Sequence, residues 1–280
     1  NLIEKVVIGV IIAVNTNKGG SLKTSVTTNL AGVIAASGKT VLVIDADSQA
    51  NSTITFGYNP DDMDASMYDS LVKGYPPEEA VIEVEDNLYL LPSNNDLISF
   101  EFEVIGNSKE FDQPFMLMKN GLESLRDKYD YILIDTPPSL GLTVANAYVF
   151  ADMVLVPYLP ESYSKRSLGS VLTTVADFRE DYNENLEILG ILEVMANKQS
   201  KLHKRIIDET KAFAAANDIK IFDSVIPRTV PSLVRKRSRS FFMLENQTTW
   251  LPHLYVTRHP LCYGTNFFQL YSKLESLSWA

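Results

Sequence analysis

The chain has 280 residues, of which 45% are hydrophobic and 21% are charged, so it can bury a full core and is not intrinsically disordered. A single cysteine, Cys262, excludes a disulfide framework and a cysteine-ligated zinc or iron–sulfur site within one chain, and it is compatible with a reducing cytoplasm. The net charge of −10 is unevenly distributed, because the chain from Lys198 onward has 13 Lys and Arg against 6 Asp and Glu. This basic final third indicates a polyanion-binding face, although an ordinary mixed surface explains it equally well.

The first apolar run, Val6–Val14, is far shorter than the roughly 20 residues of a membrane-spanning helix. Glu4 precedes the run and no small-residue cleavage site follows it, which argues against a signal peptide. The chain starts at Asn1 rather than at a methionine, so we expect a trimmed or incomplete N-terminus.

The segment Val10–Ser25 predicts a buried strand, a glycine loop and the beginning of a helix. Apolar residues recur at helical spacing over Thr24–Ser37, and Gly38 ends that pattern. In such a unit, loop N–H groups and the positive helix end face an anion, a lysine neutralises it, and a hydroxyl can bind Mg²⁺. Lys23 and Thr24 have these two positions. A glycine-rich turn without a ligand is the alternative interpretation.

Strand and helix patterns alternate along most of the chain, which predicts an α/β fold with a doubly wound, mostly parallel sheet and helices on both faces. Further strands are predicted at Thr40–Asp45, Leu88–Pro92, Tyr129–Asp135, Met153–Pro157, Leu186–Met195 and Lys220–Val225. Helices are predicted at Ser66–Lys73, Pro77–Ile82, Asn94–Ile105, Gln113–Lys128, Gly141–Phe150, Lys165–Tyr182 and Leu202–Ala216. We expect residues 1–228 to form one domain, with residues 229–280 as a divergent segment of the same domain.

Aspartates end two of the predicted strands. A carboxylate just past the carboxyl end of a strand lies at the ligand edge of such a sheet. Asp135 ends an apolar strand, which is the arrangement that holds Mg²⁺ while the following loop senses a terminal phosphate. Asp45 ends another strand and Asp47 follows it. Taken alone, the segment Asp45–Asn51 is better explained by an Asx turn in which Asp47 caps the next segment, but beside the glycine loop it favours a ligand site.

Three motifs resemble those of one known family, the ParA/MinD ATPases, which are P-loop NTPases of the deviant Walker A class. Lys18-Gly19-Gly20-x-x-Lys23-Thr24 resembles their K-G-G-x-G-K-[ST]. The segment Asp45–Asn51 resembles their D-x-D-P-Q-x-N, with Ser48 in place of proline, and Tyr129–Ser139 matches their Y-D-x-I-x-I-D-T-P-P-S. The resemblance covers roughly residues 8–228 and fades beyond Thr229.

Leu22 stands where the family's motif has its last glycine. A Cβ so near the phosphates crowds them unless the residue keeps a negative φ and points away from the nucleotide. We therefore expect a negative φ at Leu22. A hydrolysis-impaired DNA-binding or scaffold module, in which Leu22 blocks catalysis, is one alternative to an active enzyme.

The resemblance implies a slow ATPase that uses ATP and Mg²⁺, and it implies roles for individual residues. The catalytic residues would be Lys18, Lys23 and Asp47, of which Asp47 orients the attacking water. The metal site would be formed by Thr24, Asp45 and Asp135. Nucleotide contacts would come from Lys18, Gly19, Gly20, Ser21, Leu22, Lys23, Thr24 and Ser25, and from Asn197, Pro227 and Arg228 around the adenine. A turn asparagine at a strand end is a comparably good interpretation of Asn197.

The resemblance also implies partners. Two subunits would form an ATP-dependent homodimer in which Lys18 reaches the other subunit's phosphates. The dimer would bind nonspecific DNA on the nucleoid in the cytoplasm, and a ParB-like centromere-binding protein would stimulate hydrolysis. The basic run of Arg235, Lys236, Arg237 and Arg239 either binds DNA phosphates or forms a solvated loop, and we favour DNA.

Two further alternatives belong to the same superfamily. A MinD-like membrane-cycling ATPase needs a basic, amphipathic C-terminal helix. The apolar spacing in Phe267–Leu277 comes with only one cation, Lys273, so no membrane partner is expected. An iron–sulfur reductase of the nitrogenase type needs two cysteine ligands per subunit, which a single cysteine excludes.

Overall fold

The computed structural model describes residues 9–161, 164–196, 201–227 and 260–276. The strands in this part of the chain are β1 (Val10–Val14), β2 (Val41–Asp45), β3 (Ile82–Glu85), β4 (Leu88–Leu91), β5 (Tyr131–Asp135), β6 (Met153–Tyr158), β7 (Glu187–Ala196) and β8 (Ile221–Pro227). The helices are α1 (Lys23–Ala36), α2 (Asn51–Thr55), α3 (Met67–Val72), α4 (Pro77–Ala80), α5 (Phe100–Gly106), α6 (Leu117–Leu122), α7 (Leu142–Phe150), α8 (Ser164–Asp181), α9 (Lys201–Ala216) and α10 (Pro260–Glu275).

The strands form one sheet in the order β3-β4-β2-β5-β1-β6-β7-β8. All neighbouring strands are parallel except β3, which runs antiparallel to β4 at the edge. Parallel neighbours require crossover connections, and helices lie between successive parallel strands. The predicted doubly wound, mostly parallel α/β sheet is confirmed.

Alternate residues of each central strand enter different hydrophobic cores. In β1, Ile11 and Ala13 belong to one core and Ile12 and Val14 to the other, and all four are fully buried. This follows from the two-residue period of a strand, because both faces of a parallel sheet are covered and both sets of side chains must be apolar.

The two faces carry unequal helical layers. Helices α3 to α9 contribute buried residues to the first core, whereas α1 and α10 contribute to the second. Helix α10 packs on α1 and β8 through residues at i, i+3, i+4 and i+7 spacing, which are Phe267, Leu270, Tyr271 and Leu274. The apolar face on which a MinD-like membrane helix would depend is therefore buried against the sheet.

Several predicted elements differ from the structure. The segment Ile82–Glu85 forms strand β3 and not the end of a helix, because its β-branched residues alternate with glutamates that suit a solvent-facing edge. Helix α2 was not predicted, and the predicted helix Gln113–Lys128 consists of α6 followed by a 3₁₀ segment, Glu123–Lys128. Within the described ranges, no helix is both long and apolar enough to cross a bilayer.

Candidate functional site

The candidate site lies where β1, β2 and β5 end, on the side of the sheet covered by α1. Asp45 and Asp135 are paired in register at the last positions of β2 and β5. Each lies two residues beyond a member of the core that α1 covers, Val43 and Leu133 respectively. Because side chains alternate along a strand, both carboxylates point to the α1 side. The sheet therefore brings together two of the predicted metal residues.

The loop between β1 and α1 has two left-handed residues, Gly20 with φ 71° and Leu22 with φ 61°. Ser21 lies between them, and its hydroxyl donates to the backbone oxygen of Lys18 at 2.8 Å. Alternating backbone conformations of this kind turn successive N–H groups toward one side and create an anion-binding concavity. The loop therefore has the backbone shape of a glycine-rich loop, although Leu22 stands at one of the glycine positions of the motif.

The expected negative φ at Leu22 is wrong. Leu22 immediately precedes α1 and has the left-handed conformation that the turn requires, which costs a non-glycine residue roughly 1–2 kcal/mol. Its side chain is half-buried and packs against the core under α1. That packing offsets part of the backbone cost, and it is the reason a leucine is tolerated where a glycine is expected.

Lys23 is the first residue of α1 and is 8% exposed. Its Nζ lies 3.5 Å from the backbone oxygen of Thr16, at the start of the loop. Burial lowers the pKa of Lys23, and the nearby carboxylates of Asp135 and Asp47 oppose this shift. A partly desolvated ammonium beside two carboxylates is a strong counter-charge for an anion that enters the loop.

Asp135 is fully buried and only one of its oxygens is engaged. Oδ2 accepts a hydrogen bond from the Ser52 hydroxyl at 2.8 Å, whereas Oδ1 accepts none from the described part of the chain. Burial raises the pKa of Asp135 to about 6, against the opposing influence of the Thr24 and Ser52 hydroxyls. A buried carboxylate oxygen without a partner is a suitable ligand for a hard cation, directly or through water.

Asp45 is also fully buried, but its oxygens are engaged within the chain. Oδ2 accepts from the backbone N–H and the hydroxyl of Thr53, both at 2.8 Å, and Oδ1 lies 3.4 Å from the N–H of Asp47. Burial and the facing carboxylate of Asp135 raise the pKa of Asp45. Its predicted place in the metal shell stays a prediction, and the geometry shows a second task, which is to hold Thr53.

Asp47 lies in the loop after β2 and is nearly buried. Its Oδ1 accepts from the N–H of Gln49 at 3.0 Å, and its backbone oxygen accepts from the N–H of Ala50 at 2.8 Å. The Asx turn considered from the sequence is therefore present. Asp47 also lies close enough to Lys23 for its charge to oppose the lowering of the lysine's pKa.

Lys18 forms an ion pair with Glu161, which follows β6 at the same edge of the sheet. Both side chains are partly exposed, so the pair is accessible to solvent and contributes little to stability. Sequence reasoning missed Glu161. The available signal was an acidic residue just past the end of a buried strand, the same signal that identified Asp45 and Asp135.

Ser52 and Thr53 were missed for a related reason. They follow the acidic motif directly, but hydroxyl residues in a short segment did not stand out without a predicted helix. The remaining predicted residues are less informative. Pro227 ends β8, while Asn197, Arg228 and the basic run of Arg235, Lys236, Arg237 and Arg239 lie outside the described residues.

A separate cavity of about 630 Å³ lies between α9 and β8 and is lined by Glu193, Lys204, Asp208 and Asp223 among others. Of the predicted site residues that the structure describes, none lines it. Its apolar and mixed-charge walls contrast with the lysines and carboxylates at the ends of β1, β2 and β5, where the chemically distinctive groups are concentrated.

Comparison with known proteins agrees with this geometry. A family model described as an AAA domain matches residues 9–188. The sporulation initiation inhibitor protein Soj of Bacillus subtilis is 35% identical over 228 residues, which are 79% of this chain and 85% of the relative. The chromosome partitioning protein ParA of Myxococcus xanthus is 30% identical over 80% of this chain and 77% of the relative.

Solved structures give the same result. A plasmid partition protein from Borrelia burgdorferi has a TM-score of 0.63 and 30% identity, covering 72% of this chain and 85% of the other. Cobyrinic acid a,c-diamide synthase from Mycobacterium smegmatis, solved with bound ADP and magnesium, has a TM-score of 0.71 and 27% identity, covering 79% and 87%. The three motifs, the sheet order and these relatives converge, and the chain belongs to the ParA/Soj family of partition ATPases.

Proposed function

We propose that this protein is an ATP- and Mg²⁺-dependent ATPase that segregates DNA. In this proposal it dimerises on ATP, binds DNA without sequence preference, and hydrolyses ATP slowly until a ParB-like centromere-binding protein stimulates it. One observation supports this most directly. Lys23, Asp47 and the unpartnered Oδ1 of Asp135 lie together beside the loop in which Gly20 and Leu22 have positive φ. ATP and Mg²⁺ are the cofactors that this set of groups fits.

The residues present suit a magnesium nucleotide better than a free metal ion. Among the described side chains, no group of three or more His, Cys, Asp or Glu could hold a metal on its own. Thr24 and Asp135 are therefore the residues that would hold a Mg²⁺ ion bound together with the phosphates of the nucleotide. The bound ion would supply positive charge that offsets the charge developing on the transferring phosphoryl group.

The chain's own groups account for the remaining chemistry. Loop N–H groups and the N-terminus of α1 bind the phosphates, and Lys23 neutralises them from one side. Asp47 orients the water that attacks, and positioning alone suffices for this role in phosphoryl transfer. Lys18 adds a second positive charge from the other subunit, after it has left Glu161. Asn197, Pro227 and Arg228 contact the adenine.

Residues 1–228 act as the ATPase domain, with the segment 229–280 as part of the same domain. The protein works in the cytoplasm on the nucleoid. Arg235, Lys236, Arg237 and Arg239 bind DNA phosphates, in keeping with the excess of basic residues after Lys198.

Phosphate release measured with and without Mg²⁺, and then with DNA, tests the enzymatic proposal. We expect slow, magnesium-dependent hydrolysis. Asp47→Ala is expected to bind ATP and stay dimeric without turnover, as measured by light scattering after size exclusion. Full turnover in Asp47→Ala would remove Asp47 from the mechanism, and a wild-type chain that binds no ATP would refute the proposal as a whole.

The DNA surface has its own test. Replacing Arg235, Lys236, Arg237 and Arg239 with alanine should weaken DNA binding and flatten the slope of log affinity against log salt by about three to four units. A matched variant with alanine at Lys73, Lys109, Lys119 and Lys128 removes the same charge from the acidic part of the chain, and it should keep the slope. Equal slopes in both variants would place the DNA surface elsewhere.

A further inference from the structure

Two neighbouring hydroxyl residues in α2 are bound to the carboxylates that end two adjacent strands. The Ser52 hydroxyl donates to Asp135 Oδ2, and the hydroxyl and N–H of Thr53 donate to Asp45 Oδ2, all at 2.8 Å. All four residues are fully buried. The Thr53 hydroxyl also accepts a hydrogen bond from the N–H of Ser93 at 3.1 Å, just after β4. The beginning of α2 is thus fastened to the ends of three strands.

The local sequence gives α2 little tendency to form a helix. It has five residues, includes two threonines and an isoleucine, and begins after Ala50, which has φ 50° and provides no side-chain cap. A single helical turn does not persist without tertiary support, and left-handed alanine is strained. The hydrogen bonds to the two carboxylates, together with packing on α1 and β2, are therefore the tertiary contacts that support α2 and the loop before it.

That loop carries Asp47. On one side the loop is fixed by the N–H of Ala46, which donates to the backbone oxygen of Asp135 at 2.9 Å. On the other side it continues through Ala50 into Ser52 and Thr53. Releasing α2 would free one end of the segment 46–50 and let the Asp47 carboxylate change its orientation. Ser52 and Thr53 follow Asp47 by five and six residues, so the anchor of α2 lies directly after the loop that carries Asp47.

The Ser52 hydrogen bond also decides which oxygen of Asp135 is available. It occupies Oδ2 and leaves Oδ1 without a partner in the described chain. A carboxylate held through one oxygen cannot rotate freely, so the other oxygen keeps a fixed direction. Second contacts of this kind orient ligands in metal sites and affect metal affinity.

We propose that Ser52 and Thr53 are positioning residues of the hydrolytic site, Thr53 for Asp47 and Ser52 for the metal-binding oxygen of Asp135, with Asp45 as the buried anchor of Thr53. The proposal rests on the proposed ATPase function for its kinetic consequence, but its structural part stands independently. Neither side chain touches the nucleotide. They act through the two aspartates.

Thr53→Val and Thr53→Ser form the central comparison. Valine keeps the shape and removes the hydroxyl, whereas serine keeps the hydroxyl and removes a methyl group. We expect Thr53→Val to lower kcat at least tenfold with the KM for ATP changed less than about threefold, and Thr53→Ser to restore kcat to within about threefold of wild type. Hydrogen exchange of the amides in 46–50 should accelerate in the valine variant without any nucleotide.

Ser52→Ala tests the proposed role of Ser52 in orienting the metal-binding oxygen of Asp135. We expect it to raise the Mg²⁺ concentration at half-maximal hydrolysis about fivefold or more. Nucleotide affinity measured in EDTA should be unchanged. If Thr53→Val does not fold, Ser52→Ala and the exchange data from Thr53→Ser carry the test. Thr210→Val is the matched control, because Thr210 is a buried threonine with a bonded hydroxyl in α9, and it should change none of these quantities.

Normal kcat and normal exchange in Thr53→Val would overturn the proposal. So would equal impairment in Thr53→Ser and Thr53→Val, since the methyl group and not the hydroxyl would then matter. A wild-type protein without hydrolysis would contradict the proposed function instead. In that case the exchange of residues 46–50 still decides whether the hydroxyls hold the loop.

Discussion

The aspartates at the two ends of the parallel sheet have pKa values that are shifted in opposite directions. At the amino end, Asp130 accepts hydrogen bonds from the N–H and hydroxyl of Thr40 and from Lys39. Burial raises the pKa of Asp130, but these hydrogen bonds outweigh burial and hold the pKa below its usual value. At the carboxyl end, Asp45 and Asp135 face each other and burial raises the pKa of both, with a further increase from Asp135 for Asp45 and from Asp47 for Asp135.

This difference separates a carboxylate whose ionised form is favoured by its partners from a buried pair whose ionised forms are disfavoured, one of which, Asp135, keeps an oxygen without a partner in the described chain. A satisfied carboxylate favours the folded state when it is ionised, whereas two buried carboxylates side by side oppose each other until a cation arrives. The same residue type at two ends of the same strands therefore has opposite effects on stability. Substitutions at the two ends of the strands should therefore differ in the sign and size of their effects.

The largest effect is expected for Lys23→Ala. Removing the main counter-charge at the carboxyl end should weaken ATP binding at least about 100-fold, because a buried triphosphate would lose its closest cation. A fluorescent ATP analogue measures the affinity. Lys39→Ala removes a lysine at the amino end and should leave binding unchanged. Wild-type affinity in Lys23→Ala would refute the assignment of the phosphate site.

Asp130→Ala should lower the free energy of unfolding by about 2 kcal/mol, because Thr40 loses its acceptor at a partly buried position. Urea unfolding at pH 7 measures this loss. The contribution of Asp130 exists above its unfolded pKa near 4 and disappears as the pH falls through its lower folded pKa, so the loss should shrink in acid. Asp127→Ala, at an exposed neighbour, should change stability by less than about 0.5 kcal/mol.

Asp45→Asn should increase the stability of the folded protein, whereas Asp130→Ala should decrease it. Asparagine keeps an oxygen for Thr53 but removes one of the two facing charges, so the nucleotide-free protein should melt about 3 °C higher at pH 8. Because the folded pKa of Asp45 is raised, its penalty grows as the pH rises above roughly 4, and the gain should diminish toward pH 5. Thermal melts in EDTA measure it. A melting temperature below that of the wild type would contradict the contrast.

Leu22→Gly should have the smallest effect. Relief of the left-handed backbone is offset by lost packing and by the greater freedom of glycine in the unfolded chain, so stability should change by less than about 1 kcal/mol. ATP affinity should stay within about threefold. Leu202→Gly, at an exposed helical leucine, should destabilise through helix propensity alone. A large gain in affinity for Leu22→Gly would show that the leucine obstructs the loop.

The sequence was sufficient for the parallel strands and for the motifs at their carboxyl ends, but not for the antiparallel edge strand β3. Apolar runs such as Val41–Asp45 and Tyr131–Asp135 are buried on both faces, so their pattern is unambiguous. The single-turn helix α2 was not predictable, because it depends on the contacts of Ser52 and Thr53 rather than on local preference. The expected φ of Leu22 was wrong for the same reason, since the turn and not the residue sets the backbone there.

The register of β2 on β5 has a consequence for how this protein tolerates change. Asp45 and Asp135 face each other only because the residues before them alternate in step. Deleting a single residue within Val41–Ile44 would turn Asp45 toward the opposite core and bring an apolar side chain to the end of the strand. Substitutions in these strands can be absorbed one by one, but insertions and deletions of odd length cannot, so the length of the strand is under the same constraint as the identity of its last residue.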